Sequence, residues 1–389
     1  MSQSLVRERF SAIAVRVETP AGVDAIAGSP VQADFIIGSA QVRYNATTVQ
    51  DPSFSGALDD VAPALGALMP TIEVNVPLRG SGAAGTAPSW GRLMRACCFE
   101  EVVDNTGVVS TAATAGAAST ATLPSAFSST AQLYRGVPAI LSGNPAPPVI
   151  TPIHDYTAGR VASFNEIFSP VLSTSTMVQI PANVLYRPTS DETLHKTVTV
   201  YLYGDGMVWI FTGVSGSMRA ALTSGGIGTL TFSLRGQYSS LATATLPAGL
   251  TAAGAPTPPR WVGGRVRFLS VRAQLKTLTV DAGINVTMPD DPEATEGYGP
   301  AVPISRAVTA TLDPLMDTTT QVSVFNNFRA GTGGRLSAII GATAGNRFAV
   351  TLPFIRALQM DPGSREGLRA NDIRAQADSP DASMFLCAF

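Results

Sequence analysis

At 389 residues the chain has room for two ordinary domains or for one with large insertions, and with 45% hydrophobic residues it buries a sizeable core. Charged residues make up only 14% and the net charge is −2, which excludes a protein that binds nucleic acid tightly by neutralising phosphates. So few charges favour a surface covered by further copies of the same chain; a secreted adhesin with polar, uncharged faces is the alternative.

The N-terminus carries Arg7 and Arg9 but no apolar core before a cleavage site, and no run long enough to span a bilayer occurs anywhere, so a soluble protein without membrane contact is expected. Residues 1–33 read as a polar N-terminal arm ending at the turn signal Gly28-Ser29-Pro30. From Asp34 the chain reads as strand through FIIGSAQVRYNATTV, then as a loop over 51–69 containing Asp59 and Asp60, then as a strand ending at Leu78.

Gly80-Ser81-Gly82-Ala83-Ala84-Gly85 follows that strand and matches the GxGxxG of a dinucleotide site. In such a site the third glycine already lies in the helix. Here Pro88 comes three residues later, and proline is tolerated in a first helical turn but not inside a helix. The strand before it alternates Ile72, Val74, Val76 and Leu78 with polar residues, as a half-exposed antiparallel strand does. Gly80, Gly82, Gly85 and Pro88 are therefore expected to form a structural elbow before a helix over Pro88–Phe99, and no cofactor is expected. Trp90, Leu93, Met94, Cys97 and Cys98 form one apolar stripe on that helix, with Arg92 and Arg95 facing the other way, either into solvent or onto a neighbouring subunit.

Residues 107–185 are dominated by Ala, Ser, Thr, Pro and Val and read as an insertion of irregular or short-stranded structure. Strand signals return in TVTVYLYGDGMVWIFTGVSGSMRAAL, a hairpin turning at Gly204-Asp205-Gly206, and in GTLTFSLRGQY. Residues 246–262 suit a linker. The same order then recurs over 263–389: alternating runs separated by an acidic loop with Asp290, Asp291, Glu293 and Glu296, a short helix capped by Asp317 or a nearby Thr, a hairpin at Gly345-Asn346, and the closing runs LRANDIRAQAD and SMFLCAF. The expected organisation is a first unit of 34–106 plus 186–245 and a second of 263–389. The three cysteines, Cys97, Cys98 and Cys387, read as reduced core residues, and neither they nor His154 and His195 have metal-ligand spacing.

Four blocks carry a family resemblance: VRVETPAGVDA; VPLRGSGAAGTAPSWGRLMRACCF; YRPTSDETLHKTVTVYLYGDGMVWIFTGVSGSMRAAL with GTLTFSLRGQY; and AGNRFAVTLPFIRALQM. In order and spacing the chain resembles the major tail tube proteins of long, non-contractile-tailed (siphovirus-type) bacteriophages, over most of its length except 107–185. Cys97-Cys98 stands where that family often has cysteine-glycine, and the long insertion is unusual for it. The resemblance implies a mainly β fold, a sandwich or barrel-like tube domain with flanking short helices, here as two tandem copies. It implies a virion protein, assembled in the host cytoplasm, whose rings stack into a tail around a channel for DNA ejection. The partners it implies are the chain itself and the tape measure, tail terminator and distal tail proteins; genomic DNA passes without specific binding.

If both halves are tube domains, three chains supply six units, and trimeric rings with pseudo-sixfold symmetry are expected, with hexameric rings as the alternative. Asp59, Asp60, Asp290, Asp291, Glu293 and Glu296 are candidate lumen or inter-ring groups, or solvated loop charges. A hydrolase built on His154-Asp155 or His195 lacks a GxSxG serine, and neighbouring His and Asp rarely make a triad. No catalytic residue is assigned. A receptor-binding or adhesive β protein is the remaining rival.

Overall fold

A computed structural model describes residues 7, 11–50, 52–53, 56, 58–59, 61–247 and 255–389. Strands dominate, as the alternating patterns and turn signals require. The first half contains β1 (Ala12–Val17), β2 (Phe35–Ile36), β3 (Ser39–Arg43), β4 (Ala46–Val49), β5 (Ala64–Leu68) and β6 (Thr71–Pro77). Helix α1 (Gly91–Ala96) and β7 (Phe99–Asp104) follow. Seven strands then occupy the inserted segment: β8 (Val108–Ala112), β9 (Ala115–Gly116), β10 (Thr120–Thr122), β11 (Pro138–Ser142), β12 (Val149–Tyr156), β13 (Val161–Phe164) and β14 (Met177–Ile180). The chain returns through β15 (Asn183–Pro188), β16 (Val198–Gly204), β17 (Met207–Thr223) and β18 (Thr229–Thr243).

The second half repeats much of this. It comprises β19 (Val266–Phe268), β20 (Val271–Arg272), β21 (Thr277–Asp281), β22 (Ile284–Thr287), β23 (Val302–Arg306), β24 (Thr309–Leu312), α2 (Gln321–Arg329), β25 (Gly334–Ile340), β26 (Phe348–Arg365), β27 (Leu368–Ala377) and β28 (Phe385–Ala388). In both halves a long broken hairpin comes first: β3 pairs β6 and β4 pairs β5, as β21 pairs β24 and β22 pairs β23. A helix follows, then a three-stranded meander, β16-β17-β18 or β25-β26-β27. The hairpin joins the meander through β6–β18 or β24–β27, and an early strand edges it through β1–β16 or β19–β25.

The two halves are stitched into one antiparallel ribbon because the far end of β17 pairs β21, with Arg219 opposite Asp281 and Thr223 opposite Thr277. The ribbon runs β3-β6-β18-β17-β21-β24-β27-β26. Its inner face is apolar: Val74, Leu230, Phe232, Leu278, Val280 and Ala310 are among the residues fully buried in a core that spans both halves. Its outer face carries Gln41, Arg43, Ser233, Arg235, Thr311, Arg374 and Gln376, all exposed, the period-two pattern of a sheet with one wet side.

Several elements differ from their sequence reading. Residues 12–17, inside the expected polar arm, form β1, which pairs along its whole length with β16 and buries Ile13, Ala14 and Val15. Within the expected 51–69 loop, 64–68 form β5. The helix after the elbow is shorter than Pro88–Phe99, beginning at Gly91. Short-stranded structure is present in 107–185, but it makes an ordered sheet, β8-β14-β11-β12-β13-β10-β9, with its own core. That core includes Ile339, Ala349, Phe385 and Cys387, so the insertion packs on the second half. The closing run SMFLCAF pairs with β15 and β26, while β27 alone takes the place in the second half that β18 has in the first.

Candidate assembly surfaces

The elbow is built from backbone freedom. Gly82 and Gly85 sit at φ of 90° and 75°, a region that strains any residue with a side chain. Gly80 lies so close to the Gly345 carbonyl that a Cβ there would stand 2.0 Å from its oxygen. Gly80 N–H donates to Asn346 Oδ1 at 2.9 Å and Gly82 N–H to the Gly345 carbonyl at 3.1 Å, so the elbow docks on the second half's hairpin turn. The Pro88 carbonyl accepts from Gly91 N–H in the turn that starts α1. Trp90 Nε1–H donates to the Arg79 carbonyl at 2.8 Å, and its ring packs on Tyr186 and Phe348. The whole Trp90-Leu93-Met94-Cys97-Cys98 stripe is buried. The N–H groups of Gly80 and Gly82 are thus occupied by the second half's hairpin turn.

Arg92 and Arg95 lie half-buried on the opposite face of α1, and Arg92 donates to the Ala33 carbonyl of its own chain. Asp59 is exposed, and Asp60 lies outside the described residues. Of the second acidic loop, Asp290 and Glu293 are exposed while Asp291 accepts from the Glu293 N–H and is half-buried. Glu296 accepts from Leu68 N–H at 2.9 Å. The second acidic loop thus meets the β4–β5 arm at Leu68, the last residue of β5. The sheet also assembles a surface that sequence reading did not single out: the outer face of the ribbon, where Arg43, Glu73, Arg219, Asp281, Asp361 and Asp372 stand among Ser, Thr, Asn and Gln. The alternation of β3, β6, β17 and β27 is the signal that points to it.

Two edges of that ribbon have no partner strand among the described residues: β3 on the side away from β6, and β26 from Arg356 to Arg365 on the side away from β27. Exposed apolar residues gather nearby, with Val49 61% and Leu65 79% exposed on the β4–β5 arm, Leu358 54% exposed on β26, and Val322 67% exposed on α2.

The residues imagined for hydrolysis do not meet. His154 is fully buried with neither ring nitrogen bonded, and burial, then the positive charges of Arg335 and Arg135, push its pKa down to about 3. Neighbouring Asp155 is bonded instead to Arg135 at 2.9 Å and Gln132 at 2.8 Å. A ring nitrogen of His195 lies 3.0 Å from the Thr189 carbonyl. All three cysteines are buried free thiols; burial raises Cys97 and Cys387 well above the usual thiol value and Cys98 to about 11. No group of three or more His, Cys, Asp or Glu that could hold a metal occurs among the described residues, and no helix there is long and apolar enough to cross a membrane.

These features define a mainly β protein with short flanking helices. The family model described as phage tail tube protein matches residues 11–384, and the chain belongs to that family. A comparison with curated proteins finds no match. Membership makes the chain a structural component of the phage tail, and it implies self-assembly into a tube together with other tail proteins.

Proposed function

We propose that this chain polymerises as stacked rings into the tail tube of a siphovirus-type phage and so forms the channel for DNA ejection. The observation that carries this reading is the eight-stranded ribbon with one apolar and one polar face and two edges unpaired among the described residues. An open edge is a liability in a monomer and an asset in an assembly that continues the sheet. The polar face, with arginines and carboxylates interspersed among uncharged polar residues, suits a channel lining, since a conduit dense in cations would hold each phosphate by salt-dependent ion pairing. On this reading the loops bearing Asp59, Asp60, Asp290, Asp291, Glu293 and Glu296 meet the next ring, and Arg95 with Arg92 lies toward a neighbouring subunit.

The recurrence of hairpin, helix and meander supports two tandem tube units, the first made of 34–106 and 186–245 with β1 added from the N-terminal segment, the second of 263–389, with 107–185 as insertion and 246–262 as linker. Three chains would then close a ring with pseudo-sixfold symmetry, assembled in the host cytoplasm and bounded in the tail by the tape measure, terminator and distal tail proteins. Negative-stain and cryo-electron microscopy of the purified full chain test this. Hollow rings or tubes with three chains per ring are expected. Six chains per ring would overturn the tandem reading, and a protein that stays discrete would favour an adhesive β protein instead.

A further inference from the structure

The seam inside the chain is a template for a seam between chains. We infer that β3 of one copy pairs antiparallel with the Asp361–Arg365 end of β26 of a second copy, in the register that places Arg43 opposite Asp361. This rests on the tube reading proposed above and specifies the surface by which copies join.

The register follows from the recurrence of elements. β3 and β21 are each followed by a two-residue gap and then an arm strand, so Arg43 corresponds to Asp281; these residues stand opposite Thr71 and Thr309. Thr71 faces Arg235 and Thr309 faces Gln376, so those two also correspond. Four residues earlier on each strand, Thr231 faces Arg219 and Asp372 faces Asp361, so Asp361 corresponds to Arg219. Inside the chain Arg219 stands opposite Asp281. Transferring that pairing to two copies sets Asp361 opposite Arg43. The residues have exchanged sign and the opposite-charge pair survives, a favourable cross-strand arrangement where like charges would repel.

The hydrogen-bonding groups agree with this register. Ala282 N–H donates to the Met218 carbonyl at 2.9 Å, so along the same ladder Ala220 and Val280 are a hydrogen-bonded pair. Their counterparts are Pro362 and Val42. Leu78 N–H donates toward β18, so Ile72 does too, and Val42 opposite Ile72 turns its backbone groups to the open edge. Asn371 N–H donates to the Pro314 carbonyl, so Pro362 opposite Asn371 also turns outward. A shift of one residue would break this match. Proline has no N–H to offer there, so the Pro362 carbonyl accepts from Val42 without the reciprocal bond, in keeping with proline at a sheet edge.

The arms extend the parallel. β22–β23 crosses the first half, with Ala301 N–H donating to the Gly213 carbonyl at 2.9 Å and Gln237 Nε2–H to the Tyr298 carbonyl at 2.6 Å, and the stretch beneath it at Thr212 and Ser215 is buried. Among the described residues the β4–β5 arm meets the acidic loop only at its base, where Leu68 N–H donates to Glu296, while Val49 and Leu65 further along it stay exposed. On β26 the corresponding stretch exposes Phe354 and Leu358, while the arm exposes Val49 and Leu65. Laying the arm of one copy over β26 of the next covers both.

Gln41 and Gly363 fall opposite each other in this register as a non-hydrogen-bonded pair, where Cα atoms approach within disulfide range. The full chain carrying Gln41→Cys with Gly363→Cys is expected to form reductant-sensitive dimers and trimers once assembled, while each single variant forms none; the native thiols are buried. Rings of the double variant that stay uncrosslinked, or equal crosslinking of Gln41→Cys with Arg365→Cys, would overturn the seam while leaving the tube reading intact. A wild-type chain that forms no ring overturns both. Should the cysteine variant not fold, charge reversal decides: Arg43→Asp and Asp361→Arg should each lower ring yield about tenfold, and the two together should restore it. Lack of restoration in a folded double variant sinks the seam.

Discussion

Glu18 shows how much one residue can hold in this fold. It is 3% exposed, and its carboxylate accepts from Gly22 N–H, Gly213 N–H, Thr197 Oγ1–H and Thr199 Oγ1–H at 2.6 to 2.9 Å. Four donors converge on one acceptor, tying the chain after β1 to β16 and β17. Glu18→Ala strands two backbone N–H groups and is expected to cost about 3 kcal/mol, checked by urea denaturation of the purified chain. His154 acts in the opposite sense. Its folded pKa, about 3, lies below the unfolded value near 6.5, so the unfolded chain binds the extra proton first. Stability from its neutral state is complete above pH 6.5 and is lost as pH falls toward 3, at up to about 1.4 kcal/mol per pH unit. His154→Leu should flatten the melting temperature between pH 6.5 and 4.5 relative to wild type; parallel curves would refute this. Neither role was legible in the sequence, because a lone Glu before a proline and a His beside an Asp carry no sign of the burial that gives them meaning.

At the scale of elements the legible parts were those whose physics is local. Pro88 excluded a helix that begins in the glycines, alternation marked β6 and β18, and Asp205-Gly206 marked the turn between β16 and β17. β1 was missed because AIAVRV has no alternation to show, being packed on both sides at Ile13, Ala14 and Val15. The inserted sheet was only partly visible, since strands of two to eight residues rich in Ala, Ser and Thr are defined by their neighbours in space. The elbow was seen as a joint, but its counterpart was not. Gly80 and Gly345 touch across 265 positions of sequence, and a Cβ on Gly345 would sit 2.5 Å from Ala83 N. Gly80→Ala and Gly345→Ala should each destabilise by about 2 kcal/mol or more. Because both force open the same gap, their combined effect should fall short of the sum, which a double-mutant cycle measures.

For the whole molecule, the proposed ring would have two seams that are not alike, the β17–β21 pairing within a chain and the proposed pairing between chains. Within a chain the segment between β7 and β15 also grips the second half beside β19: Glu166, 6% exposed, bonds Arg265 Nε at 2.7 Å and Arg267 Nη2 at 2.7 Å, and Asn165 bonds the Arg267 carbonyl at 3.0 Å and Ser270 N–H at 2.8 Å. Burial works to raise the Glu166 carboxyl, but the hydrogen bonds and charges of the two arginines outweigh it and hold the group below its ordinary value. That contribution is present above the unfolded carboxylate pKa and disappears as pH falls through the lower folded one. The second half has only residues 330–333 between α2 and β25, where the first half has the insertion, so a joint between chains has no matching strut. Pseudo-sixfold symmetry would thus be broken to true threefold by the insertion. Glu166→Ala should cost about 3 kcal/mol by leaving two arginines without their partner. It should also raise amide exchange in β11–β13 ahead of β17, and the wild-type chain is expected to unfold in one calorimetric transition. Two wild-type transitions, or exchange rising equally in both places, would mean that the insertion does not weld the halves together.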